Sequence, residues 1–554
     1  MKETGDRTGI VRLGDAACPL PTSEDVGAKA ANLARMAAIG LAVPPAFVLP
    51  VEFCAGLAAT DAQAKRLLLD GLKEGIGFLE ETTGKRFGDR RRPLLVSVRS
   101  GAPRSMPGML DTVLNVGCTS AATHGLIRMT GNPRFAWDCR RRLLEAYAQT
   151  VLGLDTSSLA DLLGHVTGEE GVASERDLDC EALERLAAAY ESWIEDADAG
   201  FEDDAMSQLA AASHAVCRSW MSDRARTYRT LEGLDHLPGT AVMVQAMVFG
   251  NRGLSSGSGV AFSRNPSTGA PQPVIDVLFD AQGEDVVSGR RTPETETSIA
   301  HLMPAVSTEL RSVLMQLERE FGDMQDVEFT IEDGKLWLLQ TRTAKRTPRA
   351  ALRITVDLVK EGRISQEEAL RRLTGLDLSA LTVTRLVEAG DPSVHGIAAS
   401  GGVAVGHAAF DSVTAERMAA RGDPVILVRP DTSTADIAGF RAASGIVTAT
   451  GGMTAHASLV ARHMGKPCAV GCGGISLDNS ARRGHFAGQV VEEGDWISVD
   501  GDSGGVFLGQ REIITERPTT ELDEVDRWRA GDRTASSGDQ INDIIAVCPP
   551  SGKF

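Results

Sequence analysis

Read for the spacing of its apolar and polar positions, the 554-residue chain divides into stretches of different period. In EDVGAKAANLARMAAIGLAVPPAFVLP (24–50), apolar residues at 30, 33, 36 and 37 repeat at helical spacing after Gly27. Gly40 closes that helix and Pro44-Pro45 blocks its continuation. LLVSV (94–98) is a short apolar run of the kind that forms a buried strand, and Arg99 stands at its end. From 120 to 235 the pattern changes to long amphipathic stretches such as FAWDCRRRLLEAYAQTVLG and LERLAAAYESWIEDA, which predict a helical subdomain. Beyond 240 it turns to strands: TAVMVQAMVFG, GSGVAFSR and PVIDVLF. VEFTIEDGKLWLLQTRT holds two alternating runs on either side of Asp333-Gly334, the signal of a β-hairpin.

The second half is organised differently. Residues 346–395 begin helical and charged, then loosen into LVEAGDPSVHG, and read as a connector. Residues 396–515 are rich in Gly, Val and Ala and predict a compact α/β unit, whereas 516–554 are polar and read as a poorly ordered tail. A chain of this length exceeds one core and implies about three or four domains. No repeat at solenoid period is present.

Composition narrows the function. With 75 acidic and 57 basic residues the net charge is −18, which argues against nucleic acid or an anionic membrane as partner, while leaving room for a local basic pocket. There is no apolar run of membrane-spanning length, and the first residues lack the apolar core of a signal peptide. The nine cysteines form no CxxC pair, so zinc is not expected, and reduced thiols point to a cytoplasmic enzyme.

The densest chemistry lies in GIVTATGGMTAHASLVARHMGKPCAVG. GIVTA is a strand, and Gly451-Gly452 form a tight turn where the backbone can approach a ligand. Thr454 is placed to cap the following helix, with His456 in its first turn, Leu459, Val460 and Met464 on its buried face, and Gly465 and Pro467 ending it. Unpaired N–H groups and partial positive charge at a helix start favour a phosphoryl group on His456, and neutral imidazole is a good nucleophile near pH 7. A lone histidine is usually a packed or capping residue, but here the double glycine, the threonine and the helix signals converge. His463, with no glycine turn to deliver it, reads as structural.

Other candidates are weaker singly. Lys29 follows Gly27 at a helix mouth and can reach phosphates as a point charge, although no GxxxxGK[ST] is present and a solvated surface lysine is the ordinary reading. Arg99 leads into a loop with Gly101, Ser105, Pro107 and Gly108, of the flexible kind that closes over phosphates or simply lies on the surface. Asp326 and Glu328 alternate on one strand of the hairpin, and Gln340 and Arg342 on the other. Two carboxylates on one face suit Mg²⁺ and an opposing arginine suits phosphate, but a cross-strand salt-bridge ladder uses the same pattern.

Taken together, KAANLARMAAIGLAVPP, LLVSVRSGAPRSMPGMLDTVLNVG, GTAVMVQAMVFGNRG, GSGVAFSRNPSTG, AQGEDVVSGRRTPE, DVEFTIEDGKLWLLQTRTAKRT and GGMTAHASLVARHMGKPC resemble the pyruvate, phosphate dikinase family of phosphoenolpyruvate-utilising phosphohistidine enzymes, in family order over roughly 24–510. The resemblance implies a multidomain α/β and α+β protein. An ATP-grasp nucleotide-binding domain would span 1–345, with the helical subdomain at about 120–235. A linker or hinge at 346–395, a swivelling α/β phosphohistidine domain at 396–515 and a polar tail at 516–554 would follow. It implies His456 as phosphoryl carrier. Lys29, Arg99, Glu284, Asp326, Glu328, Gln340 and Arg342 fall on nucleotide and phosphate positions, with Arg99, Gln340 and Arg342 also catalytic and Asp326 and Glu328 holding Mg²⁺. The implied reaction turns ATP and phosphate into AMP, pyrophosphate and phosphohistidine, whose phosphoryl group passes to pyruvate; a monovalent cation is a further cofactor to consider, and water an alternative to phosphate.

The sequence departs from that pattern in places. No acceptor-binding (β/α)₈ barrel fits in the last 40 or so residues. Thr450 replaces a usually basic residue, GAKA replaces GGKG, and Asp280 replaces Asn. These departures leave three readings: a dikinase whose acceptor domain is a separate chain, a kinase for an amino acid or specialised metabolite using the same relay, or a degenerate nucleotide-binding regulatory homologue.

Overall fold

A computed structural model describes residues 9–13, 20–58, 62–104, 106, 109–197, 200–288, 291–387, 390–432, 436–478 and 480–542. The chain is a mixed α/β protein of two units, one of residues 1–258, 279–281 and 328–342, the other of 259–278, 282–327 and 343–554. Among the described residues no helix is long and apolar enough to cross a membrane.

The first unit is built on an antiparallel five-stranded sheet in the order Val11–Leu13, Ala46–Leu49, Ala241–Ala246, Val96–Gly101, Thr112–Val116. Its central strands are buried on both faces, which is why LLVSV and TAVMVQA read as continuous apolar runs rather than alternations. Phe47, Val96, Val98, Val242 and Val244 form one core with Leu72, Leu79, Leu209 and Val216 of the helices packed on the sheet. A run of helices extends from Ser120–Thr130 to Asp223–Leu231. Side chains of Thr119, Asn132, Asp179, Asp204 and Ser222 each cap a helix by accepting a backbone N–H three residues on.

The hairpin at Asp333-Gly334 is formed, with strands Gln325–Glu332 and Lys335–Thr343 adjacent in a second five-stranded sheet. Both turn residues have positive φ, 49° and 76°, the geometry that suits an Asp-Gly hairpin turn.

In the second unit an eight-stranded sheet has a parallel centre, Val403–Ala409, Val425–Arg429, Gly445–Thr448 and Cys468–Val470, with antiparallel flanks. Helix His456–Met464 crosses from the third of these strands to the fourth. The connector is more ordered than its sequence suggests: helices Pro348–Lys360 and Gln366–Leu373 bury Leu352, Val356, Ala369 and Leu373 against Leu522, Val525 and Trp528. Those last three residues lie on a helix, Thr519–Asn542, where a poorly ordered tail was expected. The reason is a stripe at spacing of three, thin in an otherwise polar segment, that becomes a helix face once the connector helices cover it. Arg264 anchors the connector further, bonding Glu318 at 2.7 Å and Glu361 at 2.8 Å.

Candidate active site

The first cluster grows from Gly27. It has φ 81° inside the helical span Ser23–Ala38, and a Cβ there would stand 2.1 Å from the Gly101 carbonyl oxygen. That close approach lets Ala28 N–H donate to Ala102 O at 3.0 Å, so the helix is pinned to the strand end that carries Arg99. Asn32, which the sequence did not single out, donates from Nδ2 to Thr341 O at 2.9 Å and ties the same helix to the hairpin.

Lys29, Arg99, Glu328, Gln340 and Arg342 are thereby gathered from three segments distant in sequence. Arg99 Nη2 donates to Glu328 Oε2 at 3.2 Å, and Gln340 Nε2 donates to Glu328 Oε1 at 3.1 Å. Burial and the neighbouring Arg99 push the Lys29 ammonium down to about 8; Glu328 opposes that fall and Arg342 adds to it. Burial pushes the Glu328 carboxyl up, but Arg99, Arg342 and Lys29 outweigh it and hold the group below the usual carboxylate range. Three cations around one carboxylate leave positive charge in excess. Arg99 Nε and Gln340 Oε1 are also buried with no hydrogen-bond partner. Unsatisfied buried polar atoms are rare enough in folded proteins to mark a place for a ligand. A donor and an acceptor beside excess positive charge suit a phosphate-bearing one.

Glu284 and Asp326 belong to the second unit. Glu284 is exposed on the short helix Gly283–Val287. Asp326 is buried and lies close enough to Arg462 to raise its basicity, although burial lowers it more. Of the expected loop, Ser105, Pro107 and Gly108 lie outside the described residues. Among those described, no group of three or more His, Cys, Asp or Glu gathers as a metal cage.

His456 is the first residue of helix His456–Met464. The residue before the helix is Ala455, so Thr454 is not its cap. Instead both the N–H and the hydroxyl of Thr454 donate to Asp276 Oδ2, at 3.1 and 3.2 Å. Gly452 fits because a Cβ there would meet Pro293 at 2.3 Å and Asp276 at 2.5 Å. The turn is held from its other side by Ser458 Oγ on Gly452 O at 2.6 Å and by Arg462 Nη2 on Met453 O at 2.7 Å. The fully buried face of the helix is Ala457, Ser458, Ala461 and Arg462, while Leu459, Val460 and Met464 are only half-buried. The difference arises because a charged Arg462 is drawn inward by carbonyl acceptors at Met453 and Ala399. His463 is exposed.

The His456 ring is half-buried, edge-on to Phe440 with centroids 6.3 Å apart. Its Nε2 has no hydrogen-bond partner. Burial lowers its pKa and Asp436 works in the opposite direction. The ring is therefore neutral at pH 7 and keeps a lone pair, which is the state a nucleophile needs. Asp276, Asp436 and Arg462 were missed in the sequence; the one available signal was a carboxylate, Asp276, inside the apolar run PVIDVLF.

Comparison with known proteins shows the family of the chain. The family model described as pyruvate phosphate dikinase, AMP/ATP-binding domain, matches residues 62–308 and 296–363, and that described as PEP-utilising enzyme, mobile domain, matches 422–504. Arg99, Glu328, Gln340 and Arg342 fall within the first and His456 within the second; Lys29 precedes both. Similar proteins include the pyruvate, phosphate dikinase of Clostridium symbiosum, 42% identical over 92% of this chain and 59% of that protein. That of Rhizobium meliloti (strain 1021) is 41% identical over 92% and 58%, and the chloroplastic one of Flaveria trinervia 40% over 94% and 56%. The chain thus spans less than three fifths of the length of these relatives. The comparisons lend no support to a separate barrel-bearing chain. With the first model matching more than half of its length, the chain belongs to the pyruvate, phosphate dikinase family.

Proposed function

We propose that this chain carries out the ATP half of a dikinase reaction: His456 takes the β-phosphoryl group of ATP while the γ-phosphoryl group goes to inorganic phosphate, leaving AMP and pyrophosphate. The observation that carries this reading is the cluster around Glu328, where excess positive charge meets the unsatisfied Arg99 Nε and Gln340 Oε1. Lys29, Arg99 and Arg342 stabilise the polyphosphate charge, and Gln340 fixes its orientation. In the transfer step the imidazole nitrogen bonds phosphorus as the bond to the leaving phosphate oxygen breaks; neutral His456 supplies the lone pair and needs no base to remove a proton.

The domain over 1–345 is read as an ATP-grasp domain and that over 396–515 as a carrier that swings, since one histidine must meet a donor and an acceptor in turn. Pyruvate is the proposed acceptor, by likeness to relatives named for it. Mg²⁺ fits only in part. Both Glu328 oxygens are engaged, by Arg99 and Gln340, so Asp326 and Glu328 would hold the ion together with phosphate oxygens of the nucleotide. Its contribution there would be to neutralise polyphosphate charge. Glu284 is a further proposed nucleotide contact, by the family resemblance alone.

The test is ATP labelled at the β-phosphorus. Wild-type protein with ATP, Mg²⁺ and phosphate should take up acid-labile label and release AMP, and His456→Ala should take up none. Wild-type protein that binds ATP yet acquires no label refutes the reading in favour of a regulatory homologue.

A further inference from the structure

Both connections of the histidine-bearing sheet run through one ribbon, Val383–Leu386 paired antiparallel with Ile513–Glu516. Beside it, against helix Pro348–Lys360 and the start of the terminal helix, lies a cavity of about 210 Å³. Its wall holds four guanidinium groups, Arg349, Arg353, Arg385 and Arg517, against two carboxylates, Glu516 and Glu521. The lining itself thus carries more positive than negative groups, in a chain whose net charge is −18. Arg349 pairs with Asp502 at 3.1 Å and Arg385 with Glu516, while Arg353 reaches Asp357 only at 3.8 Å. Arg517 makes no ion pair among the described residues. Leu352, Val383 and Pro518 add apolar surface to the same lining.

We infer that this cavity binds a short organic polyanion, a three- to four-carbon acid bearing phosphate or a second carboxylate. Guanidinium groups carried by the helix and by the ribbon can meet two anionic groups of such a molecule, and the apolar lining can take its carbon skeleton. The volume falls below the roughly 300 Å³ at which pockets begin to hold drug-sized ligands, so a nucleotide is excluded. A bound anion would tie the connector helix to the ribbon through which the histidine-bearing sheet is attached.

The probe is 3-phosphoglycerate, titrated calorimetrically into the full chain. Arg353→Glu with Arg517→Glu should weaken its binding at least about tenfold, since two favourable charges become repulsive, and leave ATP affinity unchanged. Inorganic diphosphate, which has the charge but not the carbon skeleton, should bind more weakly than 3-phosphoglycerate and lose affinity in the same variant. The single change Arg517→Gln, at an exposed residue with no ion pair among the described residues, should weaken binding several-fold and serves if the double variant does not fold. Equal affinity of wild-type and variant proteins for 3-phosphoglycerate, or no binding to the wild type, overturns the inference.

Discussion

Replacing Asp276 by asparagine tests how the turn before His456 is held. Asp276 is 3% exposed, and burial, only partly offset by the Thr454 hydrogen bonds, pushes its carboxyl up to about 6 from 3.8. Because the folded value lies above the unfolded one, the contribution to stability is complete below about pH 4 and is lost as pH rises through 6. The full span is worth on the order of 3 kcal/mol, of which roughly half falls between pH 5 and pH 7.5. Asparagine keeps an oxygen for the Thr454 N–H but cannot ionise, so the variant should lose this dependence. The opening free energy of residues 445–464, read by hydrogen exchange at the two pH values, should fall with rising pH in the wild type by about 1 kcal/mol or more beyond any fall in Asp276→Asn. Parallel pH profiles for the two proteins would show that Asp276 is ionised throughout and that its burial is not what the geometry makes it.

Two further outcomes follow from the site. Gly27→Ala forces a Cβ to within 2.1 Å of the Gly101 oxygen at φ 81°, so the helix must leave the strand end. The left-handed conformation alone costs roughly 1–2 kcal/mol, and calorimetry should show ATP affinity down by about tenfold or more as Lys29 moves off Arg99. Asp436→Asn removes the charge that opposes the burial effect on His456, so the imidazole pKa, followed by NMR titration, should move further down and the acid limb of labelling should move with it. An unchanged value would mean that Arg429, which pairs with Asp436 at 3.3 Å, had cancelled that charge already, and a higher one would refute the role given to Asp436.

What the sequence makes legible is whatever depends on local chemistry. Asp333-Gly334 demands a particular turn, so the hairpin and the alternation of Glu328 with its neighbours can be read directly. Gly465 with φ 64° stops the histidine helix where the pattern says it stops. What stays hidden depends on who the neighbour is. Thr454 has the right chemistry to cap a helix, but an acceptor 178 residues earlier in the chain, Asp276, takes both its donors. Leu522, Val525 and Trp528 are a stripe only in the presence of the connector helices. Gly27 looks like a helix start and is instead a break within one, because its value lies in the backbone it lets through. The same logic gives a usable rule for Asp276. A carboxylate in a strand buried on both faces cannot be left without hydrogen-bond donors or a countercharge, so PVIDVLF announces a long-range polar contact even though it cannot name it. Here the contact lies two residues before the histidine that the function turns on, and the polar misfit in an apolar strand was the sequence's pointer to how that histidine is positioned.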